Sequence, residues 1–159
     1  STLMSGNISK ELYLKYIVNQ LQCYSALENH TLFKLPDERL KRVENIQEDI
    51  AELQNKLQKN NKQLLDMITQ STKNYKEHVK RITNEADFLA HIYVRYLGDL
   101  RGGQMIAKKI PGSGKYYQFK NSLELANSIY KVINDEMADE AKIVFNFATK
   151  LFIEMHESE

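Results

Sequence analysis

Tryptophan is absent, cysteine occurs once, proline twice and glycine six times in 159 residues. The lone Cys23 excludes an internal disulfide and any multi-cysteine zinc site. The four histidines, His30, His78, His91 and His156, show neither HxxxH nor HExxH spacing, so no metal site is expected. An excess of one charge is also lacking. Lys and Arg number 22 against 21 Asp and Glu, for a net charge of +1. That balance argues against a whole-domain nucleic-acid or membrane footprint, although local basic faces remain open. No apolar run approaches the roughly 18 residues that a membrane span requires.

The prolines, Pro36 and Pro111, and the glycines are confined to a few places. Elsewhere Lys, Glu, Gln, Leu and Ala dominate and no period-2 stretch appears, which predicts an all-α chain. Hydrophobic residues are 42% and charged residues 27%, as in an ordinary globular protein. The length suits one domain over residues 1–159.

Six helical segments are expected. The first runs over about Ile8–Glu28, capped by Ser9. The second starts at Pro36-Asp37. A continuous helix from Asp37 to Ile82 would be about 69 Å long, too long for a domain of this size. A break is therefore expected at Lys59–Lys62 or at Gln70–Thr72. The third covers about Thr72–Arg81. The fourth begins at an Asn84 cap and continues to Ile110, before the loop Pro111–Gly114. The last two span about Ser122–Met137 and Ala138–His156.

Within the second segment, Val43, Ile50, Leu57 and Leu64 form one seven-residue series. Ile46, Leu53, Asn60 and Met67 form another. That is a coiled-coil-like seam from Val43 to Met67 with an asparagine at one core slot. Two destinations fit it: the chain's own bundle, or a protein or nucleic-acid-associated partner. Arg39, Lys41, Arg42, Lys56, Lys59 and Lys62 supply a basic flank for such a partner.

The most informative stretch is His91-Ile92-Tyr93-Val94-Arg95-Tyr96-Leu97-Gly98-Asp99-Leu100-Arg101-Gly102-Gly103-Gln104. Each internal glycine costs a helix about 1 kcal/mol relative to alanine. Three readings account for Gly98, Gly102 and Gly103: close helix–helix packing through GxxxG spacing, a turn between two helices, or a kinked helix lying flat against a large planar ligand. A carboxylate at Asp99 would orient a water or a bound ligand.

This stretch resembles the distal-helix signature of heme oxygenases. Tyr24-Ser25-Ala26-Leu27-Glu28 resembles the family's first-helix segment bearing a distal-pocket tyrosine. Glu140-Ala141-Lys142 with Phe145, Leu151 and Phe152 resembles its last helix. The divergence and the abundance of Lys and Asn make the chain most similar to the heme oxygenase-like proteins of apicomplexan parasites. The resemblance implies a compact all-α bundle with a glycine-kinked distal helix. It also implies heme as cofactor and substrate, opened to biliverdin, CO and ferrous iron with electrons from a ferredoxin or reductase. Gly98, Gly102, Gly103 and Arg101 would then face heme. Asp99 would hold a proton-delivering water network, joined by Tyr24 and Arg95.

Departures from the family pattern point away from turnover. The position of the proximal histidine aligns upstream of Ser1, so the proximal helix is expected outside this chain. His30, His78 and His156 suit surface or cap roles, and His91 a structural one. Positions that hold heme propionates with cations read Tyr130 and Asn134, with only Lys131 nearby. The small residue expected between Leu100 and Gly102 is Arg101, and a polar position of the last helix reads Ala148. The expectation is a non-catalytic relative with weak or no heme binding, acting by binding or scaffolding. The alternative is an active heme oxygenase. The resemblance suggests a plastid, the apicoplast, as its compartment, and no membrane association.

Overall fold

The computed structural model describes residues 8–157, and these are helical without a strand. Helix α1 (Lys10–Glu28) opens on Ser9, whose side chain accepts from the Leu12 N–H at 3.0 Å, as expected. Tyr13, Leu14, Ile17 and Val18 are buried on successive sides, so α1 runs through the interior rather than along one face.

Pro36-Asp37 starts only a 3₁₀ turn, Glu38–Leu40, because Asp37 caps it by accepting from the Arg39 N–H. Helix α2 (Val43–Leu57) begins later. No side chain of its own caps it. Glu28 of α1 does so instead, accepting from the backbone N–H of Arg42 at 2.8 Å and of Val43 at 3.3 Å.

The expected continuous seam does not form. Gln58 adopts a left-handed conformation (φ 53°), and Asn60 caps the short α3 (Asn61–Asp66) through a capping box with Gln63. Asn60 is therefore a helix start and not a core register residue. A second break follows, where buried Asn19 donates to the Met67 carbonyl and accepts from the Thr69 N–H. The expected break at Lys59–Lys62 is thus present, whereas the second falls at Met67–Thr69, just before Gln70–Thr72, which form the first turn of the next helix. Ile46, Ile50 and Leu53 point into the chain's own core. The basic flank is also differently placed. Arg42 is 4% exposed and donates to the carbonyls of Leu40, Lys41, Tyr116 and Gln118. Arg39, Lys41, Lys56, Lys59 and Lys62 each meet a carboxylate of this chain.

Helix α4 (Gln70–Lys80) is capped by Thr69, and α5 (Glu85–Ile92) by Asn84, which accepts from the Asp87 N–H. A π-helical turn, Tyr93–Leu97, carries α5 directly into α6 (Gly98–Ala107). After the 3₁₀ turn Lys115–Tyr117 comes α7 (Ser122–Tyr130). It is shorter than expected, because the chain unwinds before the Asn134-capped 3₁₀ turn Asp135–Met137. The terminal α8 (Ala138–Glu157) packs on α4 and α5.

Candidate functional site on the glycine helix

The three readings of the glycines separate on geometry. Gly98 lies within α6, so the cluster is not a turn. A Cβ on Gly98 would meet nothing within 4 Å, and one on Gly102 only Ile106 of the same helix. Among the described residues, no second helix packs into the GxxxG groove. What remains is an open face. Gly103 differs, because its Cβ would stand 2.8 Å from Tyr117 Cδ1. It is a close-packing glycine and turns away from that face.

Behind the open face lies a closed polar ring. Tyr24 of α1 donates its hydroxyl to Asp99 Oδ2. Tyr116 donates to Asp99 Oδ1 at 3.4 Å and accepts from Gln20 Nε2 at 2.9 Å. Gln20 Oε1 in turn accepts from Arg95 Nη1 at 3.5 Å. Arg95 Nε donates to the Tyr75 hydroxyl at 3.0 Å, and its guanidinium lies 4.2 Å over the Tyr75 ring. The structure therefore brings Tyr24, Arg95 and Asp99 together, as the sequence suggested. It adds Gln20, Tyr75 and Tyr116, which sequence reasoning missed. Nine tyrosines beside no tryptophan were the available signal, since buried phenols need partners.

Two acids place Tyr116. Asp49 is buried on α2 and accepts from the backbone N–H of Lys115 at 3.0 Å and of Tyr116 at 2.8 Å. Glu52, one turn on, accepts from the Ser113 N–H at 2.8 Å. Arg42 holds the same loop by its carbonyls. Burial pushes the Asp99 carboxyl up to about 7, against the pull of the Tyr24 hydroxyl bond and the Arg95 charge. Tyr24 and Tyr116 are raised well above the ordinary phenol range, first by burial and then by the Asp99 charge, so both remain donors.

A cavity of about 280 Å³ borders Gly98, lined also by Val94, Leu97, Arg101, Tyr130 and Phe145. The Arg101 guanidinium lies 5.1 Å over the Tyr130 ring, across this space.

The histidines are placed as follows. His30 caps a loop, accepting from the Leu32 N–H, and His156 is exposed near the Phe152 carbonyl. His91 is fully buried, in keeping with a structural role. His78 and His91 converge on Glu140, a cluster that no spacing in the sequence announced.

The fold and the glycine helix define a class: an all-helical bundle with one open, glycine-faced helix backed by a tyrosine–carboxylate ring. The sequence matches the heme oxygenase family over residues 1–130, and the chain belongs to that family. Heme oxygenase of Rhodella violacea is 27% identical over 197 aligned positions, covering 99% of this chain and 78% of its own. That of Guillardia theta is also 27% identical, covering 99% and 77%. The fold is similar to heme oxygenase-1 of Synechocystis in complex with heme (TM-score 0.77, 23% identity, 99% and 82% covered). It is also similar to heme oxygenase of Leptospira interrogans (TM-score 0.76, 23% identity, 96% and 87% covered).

Heme is the group this family implies, and the residues fit it only in part. The open Gly98 face suits a flat ligand. The resemblance sets Tyr130 and Asn134 against propionate-holding cations. Tyr130 is uncharged, and the Asn134 side chain is occupied as a cap, accepting from the Glu136 N–H at 2.9 Å. None of the described histidines lines the cavity beside Gly98. No helix among the described residues is long and apolar enough to cross a membrane.

Proposed function

We propose that this chain is a non-catalytic member of the heme oxygenase family that acts by binding and not by heme turnover. The observation that carries this reading is the Arg101–Tyr130 pair. It places a guanidinium and a phenol beside Gly98, at positions where the family pattern has a small residue and a cation. Two missing charge-assisted contacts would each weaken heme binding by about 1.5–3 kcal/mol, or roughly tenfold to a hundredfold.

The test is titration with hemin followed at the Soret band, then addition of ascorbate or a ferredoxin system. The expected result is weak binding, no histidine-ligated spectrum and no biliverdin. A tight 1:1 histidine-ligated complex that yields biliverdin, with the yield lost in Asp99→Ala, would overturn the proposal. It would establish the second reading, an active heme oxygenase served by a ferredoxin or reductase. That reading is favoured by the open Gly98 face and by Asp99, whose carboxyl titrates near neutrality.

We place the binding role in a plastid, on the resemblance to apicomplexan relatives. Imaging of the tagged full-length protein against an organelle marker tests this. A macromolecular partner at the outer side of α2 is proposed on the polar residues left facing outward there. Its core-facing series is already covered.

A further inference from the structure

We propose a divalent-cation site formed by His78, His91 and Glu140, distinct from the glycine face. Each residue comes from a different helix. His78 lies in the last turn of α4, His91 in the last turn of α5 and Glu140 in the first turn of α8. One ligand atom from each lies within 4.8 Å of the other two. Glu140 Oε2 stands 2.5 Å from His78 Nε2 and 2.7 Å from His91 Nε2.

Donors that share one ion, each about 2.0–2.2 Å from it, stand roughly 3–3.5 Å apart. Opening the two contacts by less than about an ångström admits an ion in place of the hydrogen-bonding protons. The three donors are held on helices, which fix their positions better than loops would. The Tyr75 hydroxyl lies 2.5 Å from His91 Nδ1, leaving Nε2 as the nitrogen turned to Glu140. This is the outer-shell bond that orients metal-ligating imidazoles. Phe147 packs on His78 and Tyr75 and walls the cluster.

Access to the cluster is also present. The His91 side chain is fully buried and that of Glu140 nearly so, but the His78 side chain is 31% exposed. The cluster therefore opens to solvent on the His78 side. Asp87 stands one turn before His91 on the same helix and is half-buried, a nearby negative charge outside the three-donor group. Two imidazoles and a carboxylate suit zinc, ferrous iron or cobalt over calcium or magnesium. The ion would sit two hydrogen bonds from Arg95, through His91 and Tyr75.

The experiment is equilibrium dialysis of the metal-stripped chain against Zn²⁺, with metal analysis, and repetition with Co²⁺ read by its visible absorption. One Zn²⁺ per chain is expected in wild type and in His156→Ala, an exposed control. Affinity should fall at least tenfold in His78→Ala and in the near-isosteric Glu140→Gln. Zn²⁺ should raise the melting temperature of wild type but not of His78→Ala. If Glu140→Gln does not fold, the half-exposed His78→Ala decides. No stoichiometric Zn²⁺ in folded wild type, or equal Zn²⁺ in wild type and folded His78→Ala, would overturn the site and leave the cluster a hydrogen-bonded clasp. Hemin titration reads the glycine face separately, so failure of one proposal leaves the other standing.

Discussion

Tyr24 and Asp99, 75 residues apart in sequence, meet as phenol donor and carboxylate acceptor, and this contact fastens α6 to α1. Tyr116 reaches the other carboxylate oxygen, so the acid is held from two elements at once.

The first prediction follows from that burial. Asp99 has its folded-state pKa raised to about 7, well above an unfolded aspartate. The folded state therefore binds the proton more tightly. Its contribution to stability is full below about pH 4 and is lost as pH rises through about 7. Asp99→Asn removes this dependence. Relative to that variant, wild type should lose stability, on the order of a few kcal/mol, between pH 4 and 7. Urea denaturation of both proteins across this range measures the difference. Parallel curves would contradict the assignment.

The glycines give a paired prediction of opposite signs. Gly98→Ala places a methyl in open space on a helix and should stabilise the protein by about 0.5–1 kcal/mol. Gly103→Ala drives a methyl against Tyr117 and should cost about 1–3 kcal/mol. Thermal melts of the two variants check both. Equal shifts would show that the two glycines face similar surroundings.

Leu53 is fully buried on α2, whereas Leu65 on α3 is 65% exposed. Leu53→Asp should therefore abolish cooperative folding, through burial of a charge without a partner. Leu65→Asp should leave the melt within about 0.5 kcal/mol of wild type. A folded Leu53→Asp protein would mean that the Val43–Met67 series serves an external partner after all.

Arg42 binds five backbone carbonyls and lies 3.8 Å over the Phe119 ring. Arg42→Lys keeps the charge but not the planar fork. It should cost about 2–3 kcal/mol and loosen the Lys115–Tyr117 turn. Hydrogen exchange at the Tyr116 and Tyr117 amides reads this directly.

The helical starts at Ser9 and Asn84 were legible because side-chain capping is a local event written in adjacent residues. The meeting of Tyr24, Arg95 and Asp99 was legible only through family resemblance, since it joins two helices far apart in sequence. Other features carried no local signal. Gln58 and Asn121 take left-handed conformations without glycine, at a cost that only their surroundings explain. Glu28 caps a helix that it does not belong to. The seam misled because its seven-residue spacing continued across Gln58–Asn60, where the backbone does not.

The π-helical turn at Tyr93–Leu97 fits one residue more into its coil than an α-turn would. Each helical residue advances the azimuth by about 100°. Were the same residues wound as an α-helix instead, every position after Leu97 would swing by about that angle. Asp99 would then leave its tyrosines, and another face of α6 would look outward. Deleting one residue inside 93–97 would let an ordinary α-turn deliver α6 at its present azimuth, so the widened turn is what reconciles this residue count with an outward-facing Gly98.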